Sequence, residues 1–196
     1  MAKEATQQQR RALILQEAAK LFKQKGYGGT SMRELAERVG MEAASMYNYI
    51  RSKHEILELL CFSVANTYVS QLSEIEQQPT TYVTKVRALL SLHIRLMLEQ
   101  GPEVSVANHD WKYLPEPQRG EFVAIRKDYE GRFASLIKEG MERGELQAGN
   151  PTVALFTLLS AVRWVELWYR PGRQLSAQTL EADIINFLMK GLEKET

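Results

Sequence analysis

Apolar residues recur along this chain at spacings of three and four, the period of a helix with one buried face, and strand-like alternation is almost absent. The pattern predicts a helix opening at Ser31, with Met32, Leu35, Ala36 and Val39 on one face. A short helix follows over 43–49. Longer helices are expected over 53–78, stopped by Pro79, and 81–99, stopped by Gly101. The run LLSLHIRLML in the latter is apolar nearly all round, which marks a central buried helix. A short helix over 102–109 and a proline-broken stretch, HDWKYLPEPQRG, lead to a helix over 119–143. Its buried face is Phe122, Ile125, Tyr129, Phe133 and Leu136, and two more helices cover about 152–169 and 177–194. The expected fold is all-α, with about nine helices.

The segment 30–57, TSMRELAERVGMEAASMYNYIRSKHEIL, carries the most specific signal. Ser31 with Glu34, and Ser52 with Glu55, have the spacing of capping boxes. Gly40 ends the helix between them, because a residue without Cβ takes a left-handed turn cheaply. Two short helices around a tight turn, followed by a capped third, form a helix-turn-helix, a shape that fits a DNA major groove. Its chemistry suits that use. Ala43, Ala44 and Ser45 are small and let the backbone approach base edges. Tyr47, Asn48 and Tyr49 offer two phenols and an amide, and an amide reads adenine through two hydrogen bonds. Thr30, Ser31 and Arg33, at the start of the preceding helix, are further DNA-binding candidates, and Lys53 opens the helix that follows, where a cation and free N–H groups converge on an anion.

Charge agrees with this reading without carrying it. Residues 1–54 hold 10 Lys or Arg against 5 Asp or Glu, a net of +5 in a chain whose total is +1. The start, MAKEATQQQRR, has no apolar core, and no apolar run is long enough to span a bilayer. Cys61 is the single cysteine and sits among Leu59, Leu60, Phe62 and Val64, as a buried thiol does. The cytoplasm is the expected compartment. No enzyme signature is present: there is no nucleophile elbow and no glycine-rich phosphate loop. His54, His93 and His109 are too scattered for a zinc site with one cysteine. No catalytic residue, metal or cofactor is expected.

Residues 10–57 resemble the DNA-binding domain of TetR-family transcriptional regulators. The likeness rests on RRALILQEAAKLFKQKGY, which it makes a first helix over 10–27, then TSMRELAERVG and MYNYIRSKHEIL. Ile50 stands where the family usually has an aromatic residue, and Glu42 where it often has a serine cap. The resemblance implies a DNA-binding domain at 1–54 and a helical effector-binding and dimerisation domain at 55–196. It further implies a homodimer on a palindromic operator in double-stranded DNA, and a small-molecule effector. Apolar stripes for the dimer are Leu155, Leu158, Leu159 and Val162 on one late helix and Leu180, Ile184, Phe187 and Leu188 on the other. Spacing alone does not separate a partner-facing stripe from a core-facing one; the resemblance favours the partner.

Several polar side chains interrupt apolar helices and are candidates for the effector site: His93, Arg95, Arg126 beside Tyr129, and Arg163 beside Trp164 and Trp168. His109 and Trp111 join them as loop or pocket lining. A buried charge needs a partner, either an internal carboxylate such as Glu166 or an anionic ligand. The run from Trp164 through Trp168, Tyr169, Arg170, Pro171 and Gly172 to Ser176 resembles a branch that governs fatty-acid or aromatic-acid breakdown, some of whose members respond to acyl-CoA thioesters. An acyl-CoA is therefore one candidate effector. The rival from another class is a DNA-binding protein with a structural or cell-division role and no effector.

Overall fold

A computed structural model describes residues 2–170 and 175–192, with side chains from Gln7 onward. Among these residues there are nine α-helices and no strand: α1 Ala2–Lys25, α2 Met32–Arg38, α3 Ala43–Met46, α4 Lys53–Gln77, α5 Tyr82–Glu99, α6 Gly101–His109, α7 Gln118–Glu142, α8 Pro151–Trp168 and α9 Ala177–Lys190. A 3-10 turn at Trp111–Tyr113 lies within the proline-broken stretch. Pro171 and Gly172, and the last two residues of the helix expected over 177–194, lie outside the described residues.

Local chemistry explains several helix ends. The Ser31 hydroxyl accepts from Glu34 N–H at 3.1 Å and caps α2. Gly40 closes α2 at φ +68°, and Met41 N–H reaches back to Ala36 O at 2.9 Å, the bond pattern of a left-handed helix stop. Asn150 caps α8 by accepting from Thr152 and Val153 N–H at 2.9 and 3.1 Å, with Pro151 at the first helical position. Ser176 caps α9 in the same manner.

Two elements differ from the sequence expectation. α1 starts at Ala2 rather than near residue 10, since AKEATQQ contains mostly good helix formers and no breaker. α3 stops at Met46 instead of Tyr49. Past Met46 the chain tightens: Asn48 N–H bonds Ser45 O at 3.2 Å, and Tyr49 N–H bonds Met46 O at 2.9 Å. The Glu42 side chain makes no cap bond at the start of α3, so this one-turn helix is held by its buried anchors Met46 and Ile50, both 0% exposed.

Contacts divide the chain into two packing units. The first runs to Asn66 and includes Gln100–Ala124; the second is Thr67–Glu99 with the chain from Ile125 onward. In the first, α6 packs on α1, so helical chain from well beyond residue 54 joins the N-terminal helices. In the second, α5 is central and packs against α8 and α9. Its buried residues include Leu89, Leu90, Leu92, His93 and Ile94, as expected of an all-round apolar helix.

Candidate nucleic-acid interface and effector site

The helix-turn-helix presents a small polar surface on a tightly tied frame. Ala44, Ser45, Tyr47 and Asn48 are exposed, while Ala43 and Tyr49 are half-buried. With α3 ending at Met46, Tyr47 and Asn48 stand on the turn that follows it. Ser31 and Arg33 are exposed, and Arg33 reaches along α2 to Glu37 at 3.2 Å. Thr30 does not present its side chain: it is buried, and its hydroxyl donates to Gly26 O at 3.1 Å. A threonine at this loop position closes the end of α1 from inside.

Lys53 is also directed inward. Its ammonium donates to Tyr27 O at 2.9 Å and Thr30 O at 2.8 Å, and lies 4.3 Å from the centre of the Tyr27 ring. That ring stacks on Tyr113 at 5.3 Å and meets Phe22 edge-on at 5.2 Å. Lys53 therefore ties the α1–α2 loop to the start of α4. Burial pushes the Tyr27 phenol up to about 12, so it stays protonated.

Glutamates hold most other cations of this unit. Glu17 joins Arg38 at 2.7 Å and Lys20 at 2.6 Å, and these partners hold its carboxyl below the usual range. Lys25 pairs with Glu34, and Arg11 with Glu55 at 2.9 Å. The second Glu55 oxygen accepts Arg51 N–H at 2.7 Å, and the Glu55 N–H is capped by Ser52 at 3.1 Å. Glu55 was read from the sequence only as a capping partner. It joins α1, the α3–α4 turn and α4. Arg11, Lys20, Lys25, Arg33, Arg38 and Lys53 are thus held by groups of the protein itself, while the net charge of residues 1–54 stays at +5.

In the second unit, a cluster forms around His93. The ring is buried, stacks on Tyr68 at 4.4 Å, and its Nε2 lies 2.9 Å from the Tyr129 hydroxyl. Burial first, and then the charge of Arg163, lower its pKa to about 3, so the imidazole is neutral. Burial likewise raises the Tyr68 and Tyr129 phenols. Glu130 lies 4.0 Å from Arg163 and 3.8 Å from Arg126, bringing both half-buried guanidinium groups to one carboxylate. Four expected residues, His93, Arg126, Tyr129 and Arg163, are thereby drawn together. Tyr68 and Glu130 were missed. Glu130 had a signal, its position four residues after Arg126 on one helix; Tyr68 had none, because its contact depends on how α4 meets α5.

The other effector candidates lie elsewhere. Arg95 is exposed on α5, and His109 is exposed. Trp111 stacks on Phe122 at 6.2 Å, and both it and His109 belong to the first packing unit. Trp164 and Trp168 are exposed on α8.

The stripes expected to face a partner require the largest correction. Leu155, Leu158, Leu159, Val162 and Leu180 are all buried in the chain's own core, with exposures of 3% or less. Ile184 and Leu188 are half-buried, and only Phe187 is exposed. α8 is apolar on most of its circumference, so its spacing fits two faces, and packing on α5 takes one of them. The face left open carries Val153, Phe156, Trp164, Leu167 and Trp168.

Residues 14–60 match the model described as bacterial regulatory proteins, tetR family, and residues 79–192 match the tetracyclin repressor-like C-terminal domain. The HTH-type transcriptional repressor KstR2 of Mycolicibacterium smegmatis is 22% identical over 93% of this chain and 90% of its own length. KstR2 of Mycobacterium tuberculosis superposes with a TM-score of 0.89 at 20% identity, over 95% of this chain and 96% of that one, a likeness of fold. The structure of AibR in complex with isovaleryl coenzyme A and operator DNA superposes with a TM-score of 0.79 at 26% identity, covering 91% of this chain and 97% of that one.

Proposed function

Because this chain belongs to the TetR family of bacterial regulatory proteins, we propose that it is a homodimeric repressor that leaves a palindromic DNA operator when an acyl-CoA binds its second packing unit. The observation that carries the effector class is the likeness, at 26% identity and nearly full length, to a regulator held with both an acyl-CoA and operator DNA. The curated relative KstR2 is a transcriptional repressor.

Base reading falls to the exposed turn. Asn48 is its one amide and pairs with an adenine edge, while Tyr47 and the small residues Ala44 and Ser45 let the backbone approach. Ser31 and Arg33 contact phosphate; Thr30 and Lys53 support the frame from inside. Two such surfaces related by a two-fold axis fit successive major grooves. The exposed apolar face of α8 with Phe187 of α9 makes the dimer.

The effector site is built on His93 and Tyr129, with Arg126 and Arg163 at its side. A neutral imidazole–phenol pair suits the uncharged carbonyl of a thioester. Arg126 and Arg163 share the carboxylate of Glu130, so these three side chains carry a net positive charge of one beside the pair, which suits an anionic group of the ligand. Ligand binding favours the conformation that fits the operator poorly, and by linkage DNA weakens the ligand by the same factor. α4 belongs to both packing units and is the element through which that change passes.

Fluorescence anisotropy on labelled DNA from just upstream of the protein's own gene tests this. Salt-dependent binding released by a CoA ester, and not by the matching free acid, is the expected result. Binding indifferent to a panel of acyl-CoAs would remove the effector class and favour the structural role.

A further inference from the structure

The exposed apolar residues of α8 lie on one stripe at helical spacing: Val153, Phe156, Trp164, Leu167 and Trp168. With Phe187 of α9 they are between 45% and 73% exposed, an open area on the order of 700 Å² if each side chain offers about 200 Å². That exceeds what a monomer usually leaves open in one patch, and it approaches the roughly 800 Å² that each partner of a stable complex buries.

The two ends of the stripe are not alike. At the α8 amino end a groove of about 370 Å³ opens beside Val153 and Ala154, walled by Gly149 before the helix, by Leu188 of α9 and by Gly191 just after it. It owes its space to small residues, Gly149, Ala154 and Gly191, and its volume is in the range that takes a small ring system. At the carboxyl end stand the two exposed indoles, Trp164 and Trp168. One end is a hole and the other a pair of knobs, about 22 Å apart along the helix.

We propose that in the dimer Trp168 of each copy occupies the groove beside Val153 of the other. A two-fold axis perpendicular to α8 makes the paired helices antiparallel and brings each knob to the other's hole; a parallel pairing sets knob on knob. The midpoint between residues 153 and 168 falls at Ser160 and Ala161, whose small side chains let the two backbones approach at the axis. Thr157 and Trp164 then face each other across the same axis. The groove is complete only with the second copy. This assignment rests on the dimer reading above and specifies its register.

Cross-linking and sedimentation test it together. Val153→Cys and Trp168→Cys, singly and combined, are treated with a short bis-maleimide; native Cys61 is fully buried and leaves little background. The double variant is expected to link into dimers. The single variants are not, since each residue lies about 22 Å from its own copy across the axis. In sedimentation, Trp168→Ala and Ala154→Trp, which fills the groove from within, each weaken the dimer at least about tenfold, and Trp168→Phe weakens it less. A wild-type dimer that resists both substitutions and gives no cross-link overturns the groove assignment and leaves the dimer reading standing. A wild-type chain that stays monomeric at all concentrations overturns both.

Discussion

Lys53 separates a scaffold from a phosphate contact more sharply than any other residue here. Replacing it with methionine keeps the stem and removes the ammonium. Two charge-assisted bonds, to Tyr27 O and Thr30 O, and the contact over the Tyr27 ring are lost. A hydrogen bond to a charged group contributes about 1.5–3 kcal/mol. Water can replace part of this at a half-buried site, so the pair together with the ring contact contributes about 2–3 kcal/mol. For a chain of this length each kcal/mol moves the Tm by about 2–4 °C, so Lys53→Met is expected to melt about 5–10 °C lower without DNA. Circular dichroism at 222 nm measures this. Operator titrations across a salt series measure the other property. A phosphate contact contributes about 0.9 to the slope of log K against log salt, and a scaffold residue contributes nothing. The expected result is a lower Tm and an unchanged slope. An unchanged Tm with a slope shallower by about 1.8, one contact from each copy of the dimer, would refute the reasoning and return Lys53 to the DNA surface.

The remaining predictions concern three sites. Gly131 and Gly140 lie on the same helix with opposite surroundings: a Cβ at Gly131 meets nothing within 4 Å, whereas one at Gly140 comes within 2.7 Å of Leu146 Cδ1 and 2.9 Å of Tyr82 Cβ. Chemical denaturation should show Gly131→Ala stabilising by about 0.5–1 kcal/mol and Gly140→Ala destabilising by about 1–2 kcal/mol once overpacking offsets the helix gain; shifts of the same sign would contradict this packing. His93 has a folded pKa of about 3 against about 6.5 unfolded, so below pH 6.5 the unfolded chain binds the extra proton. Its contribution is a loss of about 1.4 kcal/mol per pH unit as pH falls from 6.5 toward 4, measurable as a difference in slope between wild type and His93→Phe. Asn48→Ala should reduce discrimination at one operator base by about 1–3 kcal/mol in competition titrations while leaving affinity for random DNA unchanged; equal losses on both would place Asn48 at phosphate.

Helix ends were legible because their causes are local. Ser31, Gly40, Asn150 and Ser176 act on backbone groups within a few residues, and the structure uses the Ser31 cap and the Gly40 stop as their spacing implies. The helix-turn-helix was legible for the same reason, and the family model at 14–60 agrees with it. Its finer assignment was less so. A four-residue helix has too few bonds to hold Tyr47 and Asn48, so their position follows from the anchors Met46 and Ile50. Lys53 and Thr30 look like any polar residues near a DNA reader until the carbonyls of the α1–α2 loop are brought to them.

The sequence by itself determined the all-helical class, the number and order of the helices and the site of the DNA reader, because periodicity and capping depend on near neighbours. Only the tertiary structure decided which face of α8 is buried. An all-round apolar helix offers equal hydrophobic gain on either side, and the choice is made by what packs on it. That choice moved Leu155, Leu158, Leu159 and Val162 into the core and left Trp164 and Trp168 open. It also assembled His93, Tyr129, Arg126 and Arg163 from three helices, a meeting set by helix packing rather than by distance along the chain.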